Sequence, residues 1–292
     1  MSPKPLIDDR IAQFWADGYL FLDAAMSPGQ LAATRADFET WREASRSQTE
    51  PFGETLDGRP RFDLEPGHSA DRPALRRVAS PLEISEAFLD VMRTSSAVDA
   101  VAQLIGPNVE FNNCKINSKL PGAATQVKFH QDFPFQPHTN DDLIAVLFFL
   151  DEVTAENGPL EVVPGSHRGP LFDHWHDGVF TGALAADVVD QHCSQTTPVF
   201  GAAGSACLMH TRLLHGSGPN RSSTPRTLFI SEYRSEDSKP IDVPHIPSRF
   251  EGEVVRGVAT GRVRCTSYEM ALPEVPTGAS FFGQQANAPV TM

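Results

Sequence analysis

The sequence predicts a mainly β fold, a sandwich or barrel, with helices packed on its outside. From residue 109 onward, short apolar segments rich in β-branched and aromatic residues alternate with Gly, Pro and Asn, as in strands joined by turns. Before that point, apolar residues recur at the spacing of an amphipathic helix. We expect one domain, with a helical part over about 1–107, a β core over about 108–240 and a C-terminal extension over 241–292.

The N-terminal part is predicted to contain two helical stretches separated by a loop. Helix-like apolar spacing extends through the first 50 residues. Residues 50–80 are rich in Gly, Pro, Asp and Arg without a sustained period, which predicts an irregular loop or lid. A second helix is expected from about Leu82 to Ile105, because Gly106-Pro107 is a helix stop signal.

The β core is predicted to contain seven short strands. They cover residues 109–117, 125–133, 143–153, 160–167, 197–201, 205–211 and 227–233. The connections at 170–197 and 216–225 are long, and long loops in compact domains usually carry function.

Charge and composition exclude several classes of partner. The 292 residues contain 24 Lys+Arg and 37 Asp+Glu, a net charge of −13, so broad electrostatic binding of nucleic acid or an anionic membrane is not expected. The longest apolar run, Leu143–Leu150, has eight residues, whereas a membrane-spanning helix needs about 20. The expected partner is a small molecule, and an anionic one needs local cations.

The cysteines indicate a reducing compartment. Cys114, Cys193, Cys207 and Cys265 lie far apart with no C-x-x-C pair, which favours free thiols over a disulfide framework or a thiolate zinc site. The first residues show no basic region followed by an apolar one, so we expect cytoplasmic residence.

A His-x-Asp pair lies in the second predicted strand, where residues 127–133 alternate between apolar and polar. Residues i and i+2 of a strand lie on one face about 6.5 Å apart, so His130 and Asp132 are expected to converge on one ion. An imidazole and a carboxylate are two of the three ligands in the facial triad that binds non-haem Fe(II).

A distant histidine is expected to complete the triad. His215 closes a predicted strand just before a Gly-rich turn. His210 competes, although five residues of strand would place the two on opposite faces. Arg226 follows His215 by eleven residues and opens the apolar run 227–233, which we interpret as an antiparallel partner strand. An arginine inside a barrel requires an anionic partner, and a dicarboxylic cosubstrate provides one, so His215 is the better candidate.

Three blocks of the sequence resemble the phytanoyl-CoA dioxygenase family, which includes ectoine hydroxylase. The central block, residues 129–171, contains H-x-D, an apolar strand, an N-G turn, another strand and P-G-S-H. His215, Gly216, Ser217 and Arg226 resemble the C-terminal block, and residues 13–23 the N-terminal opening. The resemblance spans roughly 11–235 and implies a double-stranded β-helix (jelly roll, cupin-like) that uses Fe(II), 2-oxoglutarate and O₂.

The resemblance also implies residue roles. The iron ligands are His130, Asp132 and His215. The cosubstrate-binding positions are Arg226 and Ser217 at the far carboxylate of 2-oxoglutarate, with Asn117 and Phe148 near its other end. From the residues alone, Asn117 equally fits a turn and Phe148 fits core packing. A carboxylate at Asp132 argues against halogenation, because halogenating members have a small residue there.

Substrate contacts are expected from the loops near the triad. The candidates are Phe133, Phe135, His138, Trp175 and Tyr233, with Arg59 and Arg61 as possible anion contacts. Glu232 is either turned to solvent or salt-bridged, and the pair His174 and His176 only superficially resembles a metal motif. The sequence FPFQPH after H-x-D departs from ectoine hydroxylase, and the spacing at 136–142 departs from phytanoyl-CoA hydroxylases, which favours a different small metabolite.

The expected function is an Fe(II)- and 2-oxoglutarate-dependent dioxygenase that hydroxylates, or otherwise oxidises, an unactivated C–H bond of a small metabolite, releasing succinate and CO₂. One alternative is a non-catalytic metal-binding jelly roll acting as a sensor or interaction module. Another is a metal-dependent isomerase or hydrolase on the same barrel, which requires a general acid or base that the sequence does not single out.

Overall fold

The computed structural model describes residues 6–286 and residue 288. Fourteen strands and six α-helices follow one another along this part of the chain. The helices are α1 Asp8–Asp17, α2 Pro28–Ala44, α3 Glu86–Thr94, α4 Ser96–Ile105, α5 Ala186–His192 and α6 Phe282–Ala286. The strands are β1 Tyr19–Leu22, β2 Phe62–Leu64, β3 Leu75–Ala79, β4 Val109–Lys119, β5 Val127–His130, β6 Leu143–Phe149, β7 Leu160–Val162, β8 Trp175–His176, β9 Val179–Phe180, β10 Thr197–Val199, β11 Ala206–His210, β12 His215–Ser217, β13 Arg226–Ser235 and β14 Val254–Arg256.

The strands form two main antiparallel sheets, which confirms the predicted mainly β jelly-roll fold with flanking helices. The major sheet has the order β1-β11-β6-β13-β4-β3-β2, with β14 added beside β4. The minor sheet has the order β10-β7-β12-β5. None of the helices in the described part of the chain combines the length and apolar character that crossing a bilayer requires.

The two faces of the major sheet have different tasks. In β6, Val146 and Phe148 belong to the large apolar cluster formed with the N-terminal helices, whereas Leu147 and Phe149 belong to a second cluster on the face towards the minor sheet. This alternation follows from the period of two along a strand. Phe148 stacks on Phe229, with ring centroids 5.6 Å apart, and α3 adds Phe88 edge-on to Phe229 at 4.9 Å.

Local signals explain where the helices begin and end. Ser27 Oγ accepts a hydrogen bond from the Gln30 backbone N–H, and the Ser27 backbone N–H donates one to Gln30 Oε1, which is a capping box at the start of α2. Gly18 ends α1 with a φ of 82°, a conformation that favours glycine, and its N–H donates to the Phe14 carbonyl oxygen. The second helical stretch is interrupted at Ser95 and forms α3 and α4.

All seven predicted strands are confirmed, but two N-terminal predictions are wrong. Tyr19–Leu22 was expected to continue a helix, yet it is strand β1 and pairs with β11. Residues 50–80 were expected to be an irregular loop, yet they contain β2 and β3, which extend the major sheet from β4. Both errors arise because these short strands are stabilised by pairing with distant segments and not by their own apolar pattern.

The connection between β12 and β13 also differs from the prediction. The two strands are not partners: β12 pairs with β5 and β7, whereas β13 pairs with β4 and β6. The loop at 218–225 therefore crosses from the minor to the major sheet. As a result, His215 and Arg226 approach one interior from opposite sheets.

Tyr233 supports the fold and does not line the interior between the sheets. It is buried in the cluster with the helices, and its hydroxyl donates a 3.0 Å hydrogen bond to the Met92 carbonyl oxygen in the last turn of α3. This contact satisfies a carbonyl that has no partner within the helix. The placement is a correction to the candidate substrate role of Tyr233.

We predict that Tyr233→Phe lowers the free energy of unfolding by about 1–2 kcal/mol, because the buried Met92 carbonyl loses its donor. Urea denaturation monitored by circular dichroism measures the change. Tyr19→Phe is the matched control, since the hydroxyl of this half-buried residue makes no hydrogen bond within residues 6–286 and 288. Unchanged stability together with lost activity in Tyr233→Phe would contradict the structural role.

Candidate active site

Two histidines and one aspartate converge between the sheets. His130 ends β5, and His215 opens β12 directly opposite it in the antiparallel register. Asp132 follows β5 at the start of a 3-10 turn, and its Oδ1 lies 3.4 Å from His130 Nε2 and 3.8 Å from His215 Nε2. The ligand atoms of these three residues all lie within 4.8 Å of one another, and no other such group occurs in the described residues.

The reasons for this convergence differ in two details from the sequence prediction. Asp132 meets His130 because the strand ends and the backbone turns helical, with φ −75° and ψ −36°, and not because the strand continues. His215 begins its strand instead of closing one. His210 ends β11 in the other sheet, where its ring packs near Phe14 and His167, so it does not compete as a ligand.

Backbone carbonyls orient both imidazoles. His130 Nδ1 lies 2.8 Å from the Lys128 carbonyl oxygen, and His215 Nδ1 lies 2.9 Å from the Leu213 carbonyl oxygen. Nδ1 of each histidine is therefore the N–H donor. This leaves the Nε2 lone pair of each ring directed at Asp132 and available to a metal.

The protonation states suit metal binding. Burial and the neighbouring His130 lower the pKa of His215 to about 4, so its ring is neutral at neutral pH. Burial opposes ionisation of Asp132, but His215 and Lys115 outweigh this effect and hold the pKa of the carboxyl well below its ordinary value. Two imidazoles and one carboxylate on one side of an ion match the facial triad of non-haem Fe(II), which leaves positions open for exchangeable ligands.

The triad opens into a cavity of about 730 Å³, including space that is open to solvent. Apolar residues of both sheets line part of it. Besides the triad, its polar lining consists of Asn113, Lys115, Asn117, Gln136, Ser217, Arg226, Glu232 and His245. Phe135 also lines the cavity and contacts the His130 ring edge-on at 5.7 Å, which places it where a substrate contact was predicted.

Arg226 lines one end of the cavity, and a second buried basic side chain, Lys119, lies behind Ser217 at the same end. Arg226 is 3% exposed, and its Nε and Nη2 donate to the Gly158 carbonyl oxygen at 2.9 and 2.5 Å. Lys119 Nζ donates to Ser217 Oγ at 2.7 Å. Lys119 and Arg226 are directly opposite in the β4–β13 register, so both side chains lie on the inner face of the major sheet.

Neither of these two side chains has an ion pair within residues 6–286 and 288. Burial lowers the pKa of Arg226 to about 10, so the guanidinium stays charged at neutral pH. Burial and the nearby Arg226 lower the pKa of Lys119 to about 6, so this amine is mostly neutral at neutral pH in the free protein. The unpaired buried charge of Arg226 is unfavourable, and this end of the cavity therefore favours an anion.

Of the other two predicted cosubstrate positions, one lines the cavity and one does not. Asn117 lies in β4 and lines the cavity, and its Oδ1 has no hydrogen-bond partner in the described part of the chain, so it is not a turn residue. Phe148 does not line the cavity and its expected role is corrected: it lies on the outer face of β6, stacked on Phe229. The neighbouring Leu147 lines the cavity instead, because adjacent residues of a strand point to opposite faces.

Several predicted substrate contacts lie elsewhere. Phe133 is buried against Tyr268, at a centroid distance of 5.3 Å. Trp175 lines a separate surface depression, and its Nε1 donates to the Leu272 carbonyl oxygen at 3.2 Å. His138 is buried beside Arg234.

The two arginines predicted as anion contacts already donate their hydrogen bonds to backbone carbonyl oxygens. Arg59 donates to the carbonyl oxygens of Pro276 and His245, and Arg61 to those of Ala79, Ser80 and Glu54. The two histidines that resemble a metal motif also have hydrogen-bond partners within the protein. His174 Nε2 accepts a hydrogen bond from the Gln131 backbone N–H, and His176 Nε2 contacts the Ala183 carbonyl oxygen.

The sequence reasoning missed the polar face of β4. Asn113, Lys115, Asn117 and Lys119 occupy alternate positions, while Cys114 and Ile116 between them pack with the helices. Glu232 is salt-bridged to Lys115 at 3.1 Å and accepts a hydrogen bond from Asn113 at 2.9 Å, which decides between its two possible placements. The signal was available: a strand that alternates polar and apolar residues while its apolar side faces the helices turns its polar side into the barrel.

Comparison with known proteins agrees with this geometry. Residues 14–228 match the family model for phytanoyl-CoA dioxygenase. A probable alpha-ketoglutarate-dependent hypophosphite dioxygenase from Stutzerimonas stutzeri is 33% identical over 216 residues, covering 73% of this chain and 75% of the relative. L-proline trans-4-hydroxylase from Streptomyces griseoviridis is 28% identical over 275 residues, covering 86% and 96%.

Solved structures support the same fold. EctD from S. alaskensis, in a structure with 2-oxoglutarate and 5-hydroxyectoine, superposes with a TM-score of 0.65 at 21% identity, covering 90% of this chain and 89% of that one.

The alternative of a non-catalytic jelly-roll module is wrong, because the homologues are dioxygenases and hydroxylases. The matched family model spans most of the chain, and the described structure contains the His-Asp-His group that an iron cofactor requires. The chain belongs to the phytanoyl-CoA dioxygenase family and is an Fe(II)- and 2-oxoglutarate-dependent dioxygenase that acts on a small metabolite.

Proposed function

We propose that His130, Asp132 and His215 hold the catalytic Fe(II) and that Arg226 binds the far carboxylate of 2-oxoglutarate. The observation that carries this proposal is the arrangement across the barrel. The triad lies on the minor-sheet side, and Arg226, which has no ion pair among the described residues, lies on the inner face of the major sheet around the same cavity. Guanidinium pairs with carboxylate through two hydrogen bonds, which favours Arg226 as the main anchor.

Ser217 and Lys119 assist Arg226 in this proposal. Ser217 Oγ already accepts from Lys119 Nζ, so its hydroxyl proton is free to donate to a carboxylate. Asn117 supplies an acceptor that has no partner within the described residues, near the other end of the cosubstrate. Phe148 is not included, because its ring lies outside the barrel.

Iron with 2-oxoglutarate and O₂ supplies the oxidising chemistry, and the protein supplies position and exclusion of water. The two carbonyl-anchored imidazoles hold their ligand atoms in one orientation. Phe135 and Phe281 line the cavity and shield the metal side from solvent, and Leu147, Leu160 and Ile230 cover the interior. These apolar surfaces favour reaction of a bound C–H bond over reaction with water.

The primary substrate is proposed to be a small metabolite whose unactivated C–H bond is hydroxylated or otherwise oxidised. The relatives named for hypophosphite and L-proline support compact, polar substrates. L-proline is the first compound to test for oxidation of a C–H bond, and hypophosphite, which has only P–H bonds to oxidise, tests the alternative of a substrate without carbon. Succinate release that depends on the added compound is the assay. The departures in FPFQPH and at 136–142 disfavour ectoine and fatty acyl-CoA.

Cytoplasmic residence is also proposed. Cys114, Cys193, Cys207 and Cys265 all lie in the described range and are free thiols, and the first three are buried. A reducing compartment preserves both these thiols and ferrous iron.

His130→Ala is expected to abolish Fe(II) binding and turnover while leaving the fold intact, because it removes one of three metal ligands. Equilibrium dialysis of iron and far-UV circular dichroism measure the two effects. The control is His192→Ala, an exposed histidine on α5. A His130→Ala protein that still binds iron and turns over would overturn the triad assignment.

Arg226→Met is expected to weaken 2-oxoglutarate binding by about 10- to 100-fold, because charge-assisted hydrogen bonds are lost. The readout is the weak metal-to-ligand charge-transfer band that appears when 2-oxoglutarate is added anaerobically to the Fe(II) protein. Arg221→Met removes an exposed arginine as the matched control. Equal affinity in Arg226→Met, or no band in the wild type with iron bound, would contradict the proposed cosubstrate site.

The pH dependence of 2-oxoglutarate binding is expected to follow Lys119, whose pKa is lowered to about 6. A bound carboxylate favours the ammonium, so the complex takes up a proton that the free protein lacks above pH 6. The dissociation constant is therefore expected to rise by up to about tenfold per pH unit from pH 6.5 towards the pKa of the complex. Lys119→Met is expected to flatten this profile, and an unchanged slope would exclude Lys119.

A further inference from the structure

A second set of polar side chains lines the active-site cavity, apart from the triad and the cosubstrate positions. It consists of the ion pair between Lys115 and Glu232 together with Asn113, Gln136 and His245. We call these five residues the Lys115–Glu232 cluster. All of them except Lys115 are buried, and none has a part in the proposed binding of iron or 2-oxoglutarate.

A β-bulge aims this cluster into the cavity. Between the pairs Cys114–Ser231 and Phe111–Tyr233, β4 has two residues where β13 has one. Phe111 and Cys114 both pack with the helices although they are three positions apart, and Asn113 between them lines the cavity. Bulges are common beside active sites, where they redirect a side chain.

The cluster contains unmade hydrogen bonds of both kinds. Asn113 Oδ1 is an acceptor, and Gln136 Nε2 a donor, without a partner in the part of the chain that the structure describes. His245 Nδ1 has none there either, and burial lowers the pKa of this ring so that it is neutral. The other ends of the two amides are engaged, because Asn113 Nδ2 donates to Glu232 at 2.9 Å and to Gln136 Oε1 at 3.4 Å. These contacts fix the orientation of both amides.

A neighbouring network shows how a structural cluster on the same strands is arranged. Arg234 donates to Glu110 Oε2 and Asn112 Oδ1, both at 3.0 Å, and Lys239 donates to Glu110 Oε1 at 2.7 Å. Among the described residues, none of these four side chains has a buried nitrogen or oxygen without a partner, and none lines the cavity. Unmade hydrogen bonds therefore accompany the cluster that faces the cavity, as expected for groups that a ligand completes.

The cluster lies beside the proposed metal site. The Phe135 ring contacts His130 edge-on at 5.7 Å and His245 edge-on at 5.1 Å, so one aromatic ring separates a proposed iron ligand from the cluster. Phe281 lies 6.0 Å from both Phe135 and His130 and extends this apolar surface. A compact molecule held by the cluster therefore places its apolar body along these rings, towards the metal.

The charges of the cavity favour a substrate without net charge. In the proposed function, the charges of Fe(II) and Arg226 balance those of Asp132 and the two carboxylates of 2-oxoglutarate. Lys115 and Glu232, 3.1 Å apart, balance each other. A substrate with a net charge would bring an unneutralised charge into a buried site, which is unfavourable. A substrate with one charge of each sign adds none and pairs with both members of the ion pair.

We propose that the primary substrate is a small zwitterion, with an ammonium and a carboxylate or similar oxyanion, and that the Lys115–Glu232 cluster recognises it. The ammonium is assigned to Glu232 and Asn113 Oδ1, and the oxyanion to Lys115 Nζ and Gln136 Nε2, through charge-assisted hydrogen bonds. The inference rests on the proposed function, because it takes Arg226 as the cosubstrate site. It favours L-proline over hypophosphite, which is an anion.

The test measures binding to protein loaded anaerobically with Fe(II) and saturating 2-oxoglutarate. Calorimetry compares L-proline with its amide, a cation, and with N-acetyl-L-proline, an anion; glycine, glycinamide and N-acetylglycine form a second series. Glycine is small enough that its shape does not exclude it, and the charge-transfer band shows that the cosubstrate stays in place. In the wild type, at least one zwitterion is expected to bind about tenfold or more tightly than both of its charged counterparts.

Two single variants are expected to change the charge preference in opposite directions. Glu232→Gln leaves the Lys115 charge unpaired, so the anion is expected to gain on the zwitterion by about tenfold. Lys115→Met leaves the Glu232 charge unpaired, so the cation is expected to gain. The double variant leaves neither charge, keeps the test decisive where a single variant does not fold, and is expected to lose the preference. Glu43→Gln breaks an exposed ion pair with Arg46 and is expected to bind as the wild type does.

Three results would overturn the proposal. They are a wild type that binds neither zwitterion more tightly than its charged counterparts, single variants that weaken all ligands alike, and a double variant that keeps the preference. A purely structural ion pair gives the second result, together with a lower melting temperature. No charge-transfer band in the wild type with iron bound would overturn the cosubstrate site and this inference with it, whereas a band with any of the three results overturns this inference alone.

Discussion

The antiparallel pairing of β12 with β5 is the interaction on which the site depends. It places His215 directly opposite His130, and the end of β5 then turns Asp132 towards both. The two strands belong to the minor sheet, whose register is supported on the other side by β7. A shift of one residue in this pairing would turn each side chain to the other face and disperse the ligands. The metal site is therefore a consequence of strand register as much as of residue identity.

Uncompensated positive charge governs the rest of the cavity. The inner face of the major sheet carries Arg226, which is buried and has no ion pair in the described residues. Such a charge reduces stability until an anion binds, which is a common compromise between stability and activity. Elsewhere on the same face, Lys115 and Glu232 neutralise each other. The protein is thus prepared for a ligand with negative charge at the Arg226 end of the cavity.

The alternation of side chains along each strand decides which residues line the cavity. On β6, Leu147 lines the cavity and Phe148 packs with the helices, so the position that the resemblance assigned to the cavity lies on the other face of the sheet. On β13, Glu232 faces inward and Tyr233 supports α3 through its hydroxyl. The helices of the first hundred residues explain this division, because they cover one face of the major sheet with an apolar layer and leave the other face to the ligands.

The amino-acid sequence was enough to predict the family, the mainly β class, the seven core strands and the proposed iron ligands His130, Asp132 and His215, because these depend on local alternation and on short motifs with a specific spacing. Arg226 was also predictable, because its charge within an apolar run is visible without a structure. The folded structure was needed to show that β1, β2 and β3 join the sheet and that backbone carbonyls accept the hydrogen bonds of Arg59 and Arg61. The physical reason is that pairing, burial and hydrogen-bond satisfaction are properties of contacts between distant segments, which no local pattern encodes.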